Sequence, residues 1–250
     1  MADVIELRDI SFYFENNPNL MIIENVSFKT ELDEFVSIIG PSGCGKSTLL
    51  RNIAGLIPPS SGKVFYEGRE ITKPNKDISF VFQDFALLPW LTNIENIKLG
   101  LSDTTLQEAE KTKRAMELIE KFGLTGFENY YPNALSGGMK QRVGIARAVI
   151  TNPKVLLMDE PFSALDELTA NVLRGDINSM LRDKNISVRS VIMVTHNVDE
   201  AVELSDRIVV LSEKPSHVKE IVPVKLPYPR SKHSKPFEKI VDEVYAILTS

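Results

Sequence analysis

Residues 40–48 read GPSGCGKST. A glycine, four spacer residues, then Gly45, Lys46 and Ser47 is the spacing of a phosphate-binding loop. Gly40, Gly43 and Gly45 let the backbone turn tightly and come close to a ligand. The loop's amides then form a nest for phosphate oxygens. The helix that follows adds its positive N-terminal end. Lys46 can reach β- and γ-phosphates, and the Ser47 hydroxyl is a hard oxygen ligand for magnesium.

Further polar residues stand where apolar runs stop, at Gln83, Asp159 and His196 as well as Gly40. In an open parallel sheet, ligands bind outside the carboxyl ends of the strands, which predicts one shared edge for all of them. The chemistry of phosphoryl transfer suggests roles. Asp159 would bind magnesium, directly or through water. Glu160 would take a proton from the attacking water as general base. Gln83 could touch magnesium or that water through its amide, and His196 could hydrogen-bond the γ-phosphate and orient the water. Residues 135–142 (LSGGMKQR) make a second helix N-terminus, with Ser136 as its cap and exposed amides fit for an anion. One ATP does not need two such cradles. A dimer resolves this if each chain offers the segment to the other's nucleotide.

The elements that hold these residues follow from patterning. Residues 35–39 (FVSII) are a short β-rich run, and Leu49, Leu50, Ile53, Ala54 and Leu56 then recur at helical spacing until Pro58 and Pro59. Residues 4–14 and 21–29 read as an antiparallel hairpin around the turn signal NNPN, and 62–70 as another with its turn at Glu67 and Gly68. Tyr13 and Phe14 close the first strand, where an aromatic ring either stacks on a base or packs. Residues 78–82 are the strand that delivers Gln83, and 93–101 suggest a short helix. A helix is predicted over 105–122, with Thr105 and Glu108 at capping-box spacing, an apolar stripe of Ala115, Leu118, Ile119 and Phe122, and Gly123 to end it. Trp90, the only tryptophan, stands at the mouth of this helical stretch, either packed in the core or facing a partner. Residues 155–158 and 191–195 are continuous apolar runs, as buried parallel strands should be, and 163–166 (SALD) lead into a helix carrying Leu168, Val172, Met180 and Leu181. The last strand expected is 208–211. Beyond about 215, Pro223, Pro227, Pro229 and Pro236 break up a basic stretch before an amphipathic helix at 237–248.

The composition is that of an ordinary globular chain, 43% hydrophobic and 25% charged over 250 residues. A net charge of -5 leaves no nucleic-acid footprint. With Cys44 as the only cysteine, no disulfide can form within the chain, which fits a reducing compartment. Cys44 reads as a small filler of the glycine loop. His196, His217 and His233 are too scattered for a metal site. The first residues are charged and do not read as a signal peptide. No apolar run approaches a spanning helix, so any membrane part is expected on another chain.

In this order, the motifs resemble the ATP-binding-cassette (ABC) ATPases over about residues 4–215. Gly40, Pro41, Ser42, Gly43, Cys44, Gly45, Lys46, Ser47 and Thr48 match the Walker A nucleotide-binding loop. Gln83 matches the Q-loop, and Leu135, Ser136, Gly137, Gly138 and Met139 match the signature. Asp159 and Glu160 match Walker B with its catalytic glutamate, Asp166 the D-loop and His196 the switch histidine. Phe14 is the position matched for adenine stacking. The resemblance implies an α/β P-loop NTPase (RecA-like) core with a mostly parallel sheet, an antiparallel β subdomain and an inserted helical subdomain. The core would take about 1–85 and 154–215, the insert 86–153, and a C-terminal extension 216–250. It implies ATP and Mg2+ as cofactors, with Ser47, Gln83 and Asp159 about the metal. It also implies a head-to-tail dimer, either a homodimer or a pair of ATPase subunits, that ATP closes and hydrolysis opens. The partners implied are an integral-membrane permease and, indirectly, a solute-binding protein, with no nucleic acid. The place implied is the cytoplasmic face of the membrane.

A finer resemblance is carried by residues 82–97 (FQDFALLPWLTNIENI) and by LPYPR at 226–230. These look like the nitrate, sulfonate and taurine importer ATPases, which points to a small organic or inorganic anion. The same subgroup includes importers of pyrimidine precursors of thiamine. A soluble, non-transport ABC ATPase is the competing reading. Such proteins often carry two cassettes or a long coiled-coil insert, and neither is seen.

Overall fold

A computed structural model describes residues 3–14, 16–182 and 187–250. The chain opens with strands β1 (Asp3–Phe14), β2 (Asn17–Glu31) and β3 (Glu34–Ile39), helix α1 (Lys46–Ile53), and strands β4 (Ser61–Tyr66) and β5 (Arg69–Glu70). Next come β6 (Ile78–Val81), α2 (Asn93–Lys98), α3 (Glu108–Lys121), α4 (Gly137–Val149), β7 (Val155–Asp159) and α5 (Glu167–Arg182). The last stretch holds β8 (Ser190–Val194), α6 (Val198–Leu204), β9 (Arg207–Leu211), β10 (Val218–Pro223) and α7 (Lys235–Thr249). These elements fall into two units, Met1–Asn75 with Arg189–Ser250, and Lys76–Val188.

The first unit contains an antiparallel sheet in the order β2-β1-β4-β5. It is built on the expected hairpin, with Leu7 opposite Phe28 and Phe12 opposite Ile23. In the same unit β3 runs parallel to both β8 and β9. All but the first residue of β3, and all of β8, are buried, as continuous apolar runs between covering layers must be. Strand β10, which patterning alone does not reveal, pairs antiparallel with β9. Its sequence VKEIVP carries adjacent charges and a terminal proline, the composition of a sheet edge.

The tail is packed rather than loose. Phe237 and Val244 of α7 are buried with Val198, Ala201 and Val202 of α6 and with Val210 and Val222 of the adjoining strands. Arg230 lies across the C-terminal end of α6. Its Nη1 donates to the carbonyls of Val202 (2.7 Å) and Ser205 (2.6 Å), and its Nη2 to that of Val224 (3.3 Å). The Tyr228 hydroxyl donates to the Leu204 carbonyl at 2.7 Å, and the Arg230 guanidinium lies 3.9 Å from the centre of the Tyr228 ring. A helix end left without such donors would carry orphan carbonyls.

In the second unit β6 and β7 pair in parallel, with Val81 opposite Met158, and α4 packs against α2, α3 and α5. The capping box expected at Thr105 and Glu108 does not form. Helix α3 starts at Glu108 behind Gln107 with no side-chain cap. The Glu108 carboxylate pairs instead with Lys98 from the preceding helix, and because the helix starts at Glu108 itself, Thr105 lies outside the capping position. A capping box does occur at Thr92 and Glu95, where it starts α2. Helix α5 buries Ala170, Leu173 and Ile177 and leaves Leu168 and Val172 exposed at 77% and 51%. The side chains of Met180 and Leu181 lie outside the described residues. Among the described residues no helix is long and apolar enough to cross a membrane.

Candidate functional site

In the first unit the glycine loop follows β3 directly and ends at α1. Gly45 is the residue before that helix, at φ 106, and a Cβ on it would lie 2.8 Å from Ile22 Cγ2. Left-handed backbone and a crowded wall together require glycine there. Cys44 is buried, and burial pushes its thiol pKa up, the behaviour of a filler rather than a nucleophile. Lys46 is also buried. Its Nζ donates to the carbonyls of Gly40 at 2.9 Å and Pro41 at 3.0 Å, which sets a positive charge inside the loop. Ser47 and Thr48 follow on the first turn of α1, both half-buried.

His196 leaves β8 beside the point where Gly40 leaves β3. Ile38 is opposite Val194 in the parallel ladder, and the Thr195 amide donates to the Ile38 carbonyl at 3.2 Å. The histidine is exposed, on a backbone that is anchored on both sides. The Thr195 hydroxyl donates to the buried Glu200 carboxylate at 2.7 Å, and the Asn197 side chain caps α6 by accepting from the Glu200 amide at 3.3 Å. Sequence reading misses Thr195, Asn197 and Glu200. The spacing of Asn197 and Glu200, a cap followed three residues on by glutamate, is the signal that could have found them. It also misses Lys214, whose Nζ lies 3.9 Å from the place a Cβ on Gly43 would occupy. Phe14, at the end of β1, is 48% exposed and meets Phe12 edge-on at 5.1 Å. Tyr13 is less exposed, so Phe14 offers the more open ring.

In the second unit the ends of β6 and β7 bring Gln83, Asp159 and Glu160 together. Asp159 is buried. Glu160 turns at φ 45, a left-handed conformation that is uncommon away from glycine and collects at functional sites. The turn re-aims the carboxylate toward Gln83, whose Nε2 lies 3.4 Å from Glu160 Oε2 and 3.5 Å from Ser163 Oγ. Ser163 Oγ in turn donates to the Glu160 carbonyl at 3.0 Å. A buried carboxylate beside a partly exposed one, with an amide facing the second, can hold a hard cation and accept a proton from water.

The segment at 135–139 makes a corner of the same unit with residues 165–169. Leu135 is buried, and the exposed Ser136 caps α4 by accepting from the Met139 amide at 3.3 Å. Gly137 and Gly138 lie against Leu165 and Thr169, and a Cβ on Gly138 would come within 2.4 Å of Thr169 Cγ2. Asp166 caps α5 by accepting from the Thr169 amide at 3.0 Å, and that bond holds its carboxyl below the usual range. Trp90 is 68% exposed, so it is not a core residue. Tyr130 and Tyr131 are exposed as well, and the Tyr130 carbonyl accepts from the Asn93 amide at the start of α2 at 2.9 Å.

The ABC transporter family model matches residues 23–163. The aliphatic sulfonates import ATP-binding protein SsuB of Bacillus cereus is 44% identical over 241 residues, covering 96% of this chain and 94% of that protein. The nitrate import ATP-binding protein NrtC of Synechococcus elongatus is 45% identical over 214 residues, covering 84% of this chain and 32% of that protein. Among solved structures, a dimeric ATP-binding cassette in a post-hydrolysis state, bound to ADP and Pi, has a TM-score of 0.77. It is 32% identical, and the match covers 89% of this chain and 100% of that one.

Proposed function

The chain belongs to the ABC transporter family and is an ATP-binding ATPase with a P-loop NTPase fold, and we propose that it drives import of a small anion through a separate membrane permease. Residues 1–215 form the nucleotide-binding domain in this reading, with 86–153 as its helical insert and 216–250 as an extension strapped onto α6. Residues 40–48 cradle the phosphates, Lys46 neutralises them, and Phe14 stacks on the adenine. Magnesium suits an all-oxygen donor set, and Ser47, Gln83 and Asp159 supply one. Glu160 is the general base, Gln83 meets the attacking water, and His196 contacts the γ-phosphate. The observation that carries the reading is the strained turn at Glu160, which sets its carboxylate opposite Gln83 next to buried Asp159.

A second copy completes the site. Ser136 is exposed at the N-terminus of α4, and Leu168 and Val172 lie exposed just beyond Asp166. Apolar side chains left open beside a conformationally fixed acid are suited to an interface between subunits. Trp90, Tyr130 and Tyr131 are the aromatic anchors we assign to the permease, since exposed aromatics are typical interface hot spots. That partner places the protein at the cytoplasmic face of the membrane, with a solute-binding protein acting through the permease. The sulfonate and nitrate relatives favour an anion of that class as the solute.

The test is Glu160→Gln, followed by light scattering after size exclusion with ATP and Mg2+ and by ATP turnover. Binding should persist while turnover falls by about 10²–10⁴, the worth of a positioned base, and an ATP-dependent dimer should accumulate. Near-normal turnover in this variant would refute the general-base assignment. A monomer in ATP, both alone and with the membrane partner added, would refute the shared site.

A further inference from the structure

The segment that leaves Gln83 is held in an unusual way. Phe85 and Ala86 both adopt left-handed backbone, at φ 59 and φ 47. Neither is a glycine, and two such residues in succession persist only where surrounding structure over-determines them. The hold comes from Arg147 in the last turn of α4. Its Nη2 donates to the Phe85 carbonyl at 2.8 Å and its Nη1 to the Ala86 carbonyl at 2.6 Å. The left-handed turns present these carbonyls side by side, and the planar fork of an arginine matches two parallel acceptors. One turn earlier on the same face of α4 stands Gly144. A Cβ there would lie 3.3 Å from the Phe85 oxygen, so its lack of a side chain lets the loop come this close.

The far end of the loop is fixed as well. Asn96, fully buried in α2, accepts from the Leu88 amide at 2.8 Å. It donates to the carbonyls of Leu88 (3.1 Å), Leu91 (3.0 Å) and Thr92 (3.0 Å). The loop is thus pinned at residues 85–86 and again at 88–92, with exposed Trp90 inside the second clamp. The helix that bears Arg147 begins at Ser136, about 16 Å away at the usual rise per residue.

We propose that Arg147 is a positioning residue: by holding the Phe85 and Ala86 carbonyls it locks the loop leaving Gln83 to the helix that begins at Ser136. This rests on the roles proposed above for Gln83 and Ser136. Arg147 touches neither nucleotide nor water in this account. It acts through the two carbonyls.

The sole tryptophan makes the idea readable without a label, because its fluorescence reports on this loop alone. In the full chain without nucleotide, Arg147→Met should lower the fluorescence anisotropy of Trp90 in part, since Asn96 still holds residues 88–92, with the far-UV spectrum preserved. With ATP and Mg2+ the same variant should lose roughly tenfold or more in kcat while KM for ATP stays within about twofold, as for a reacting group misplaced from a distance. Arg147→Lys should recover only part of both, since an ammonium cannot fork onto two carbonyls. Gly144→Ala keeps the arginine and favours the helix, yet crowds the Phe85 carbonyl. It should shift Trp90 emission and lower kcat in a protein whose far-UV spectrum matches the parent, which separates positioning from folding. Unchanged anisotropy and kcat in Arg147→Met would overturn the proposal, as would a loss lying wholly in KM. A parent protein without ATP turnover, both alone and with the membrane partner added, would overturn the proposed function instead, and the anisotropy comparison would still decide whether Arg147 pins the loop.

Discussion

The tight packing at Gly138 yields a quantitative prediction. A Cβ on this residue would lie 2.4 Å from Thr169 Cγ2, whereas ordinary contacts begin at 3.4 Å. Gly138→Ala therefore needs about 1 Å of movement. Rotating Thr169 about χ1 would clear the methyl group. That rotation also swings the hydroxyl, which the Asp166 carboxylate holds. Shifting the first turn of α4 instead moves Ser136. Overpacking costs about 1–3 kcal/mol, and replacing a helical glycine by alanine returns up to about 1 kcal/mol. The net loss of stability should be about 1 kcal/mol, a small fall in a urea midpoint.

The functional effect should be much larger. Both ways of relieving the contact disturb a residue assigned to the shared site, Asp166 in one case and Ser136 in the other. A displacement of about 1 Å at a positioning group costs on the order of 10² in rate. We expect Gly138→Ala to lose about that factor in steady-state ATP turnover while a lone subunit binds nucleotide normally. Thr169→Ser removes Cγ2 and keeps the hydroxyl, so the double variant Gly138→Ala/Thr169→Ser should recover most of the activity. Full turnover in the single variant would refute the packing argument. So would a defect that the serine leaves untouched, because the contact named here would then not be its cause.

Two other perturbations test separate parts of the fold. Arg230→Met should leave the carbonyls of Val202, Ser205 and Val224 without their donor and destabilise the protein by about 3 kcal/mol, read as a lower denaturant midpoint. A stability within about 0.5 kcal/mol of the parent would mean that water replaces the guanidinium. Cys44 is buried with its thiol pKa raised by burial, so at about pH 8 a disulfide reagent should modify the native protein on the order of a hundredfold or more slowly than the unfolded chain. Equal rates would show that the glycine loop opens freely.

The candidate positions were legible because the sequence states them locally. The glycine loop, the runs that stop at Gln83, Asp159 and His196, and the cap at Ser136 each depend on residues within a few positions of one another. Glu108 shows where local reading fails. Its spacing from Thr105 suits a capping box, yet the carboxylate pairs with Lys98, a competitor that no local pattern displays. Strand β10 failed for the same reason, since its charged residues read as coil until β9 offers an edge to pair with.

The contacts that aim the site were illegible for a stronger reason. Arg147 and the Phe85–Ala86 carbonyls are about sixty residues apart, and Gly138 and Thr169 belong to different helices. In both places a glycine or an arginine on α4 meets backbone or side chain that only the tertiary fold brings near. Motif residues announce what is bound. The residues that hold the motifs in place carry no pattern of their own, because any donor, gap or methyl group with the right placement would serve. Substitution at such positions should therefore separate turnover from binding, and the contrast between Gly138 and Gly144 makes the point sharply. Alanine at the first crowds a side chain that can move at the expense of Asp166, and alanine at the second crowds a carbonyl that can move only with the loop beyond Gln83.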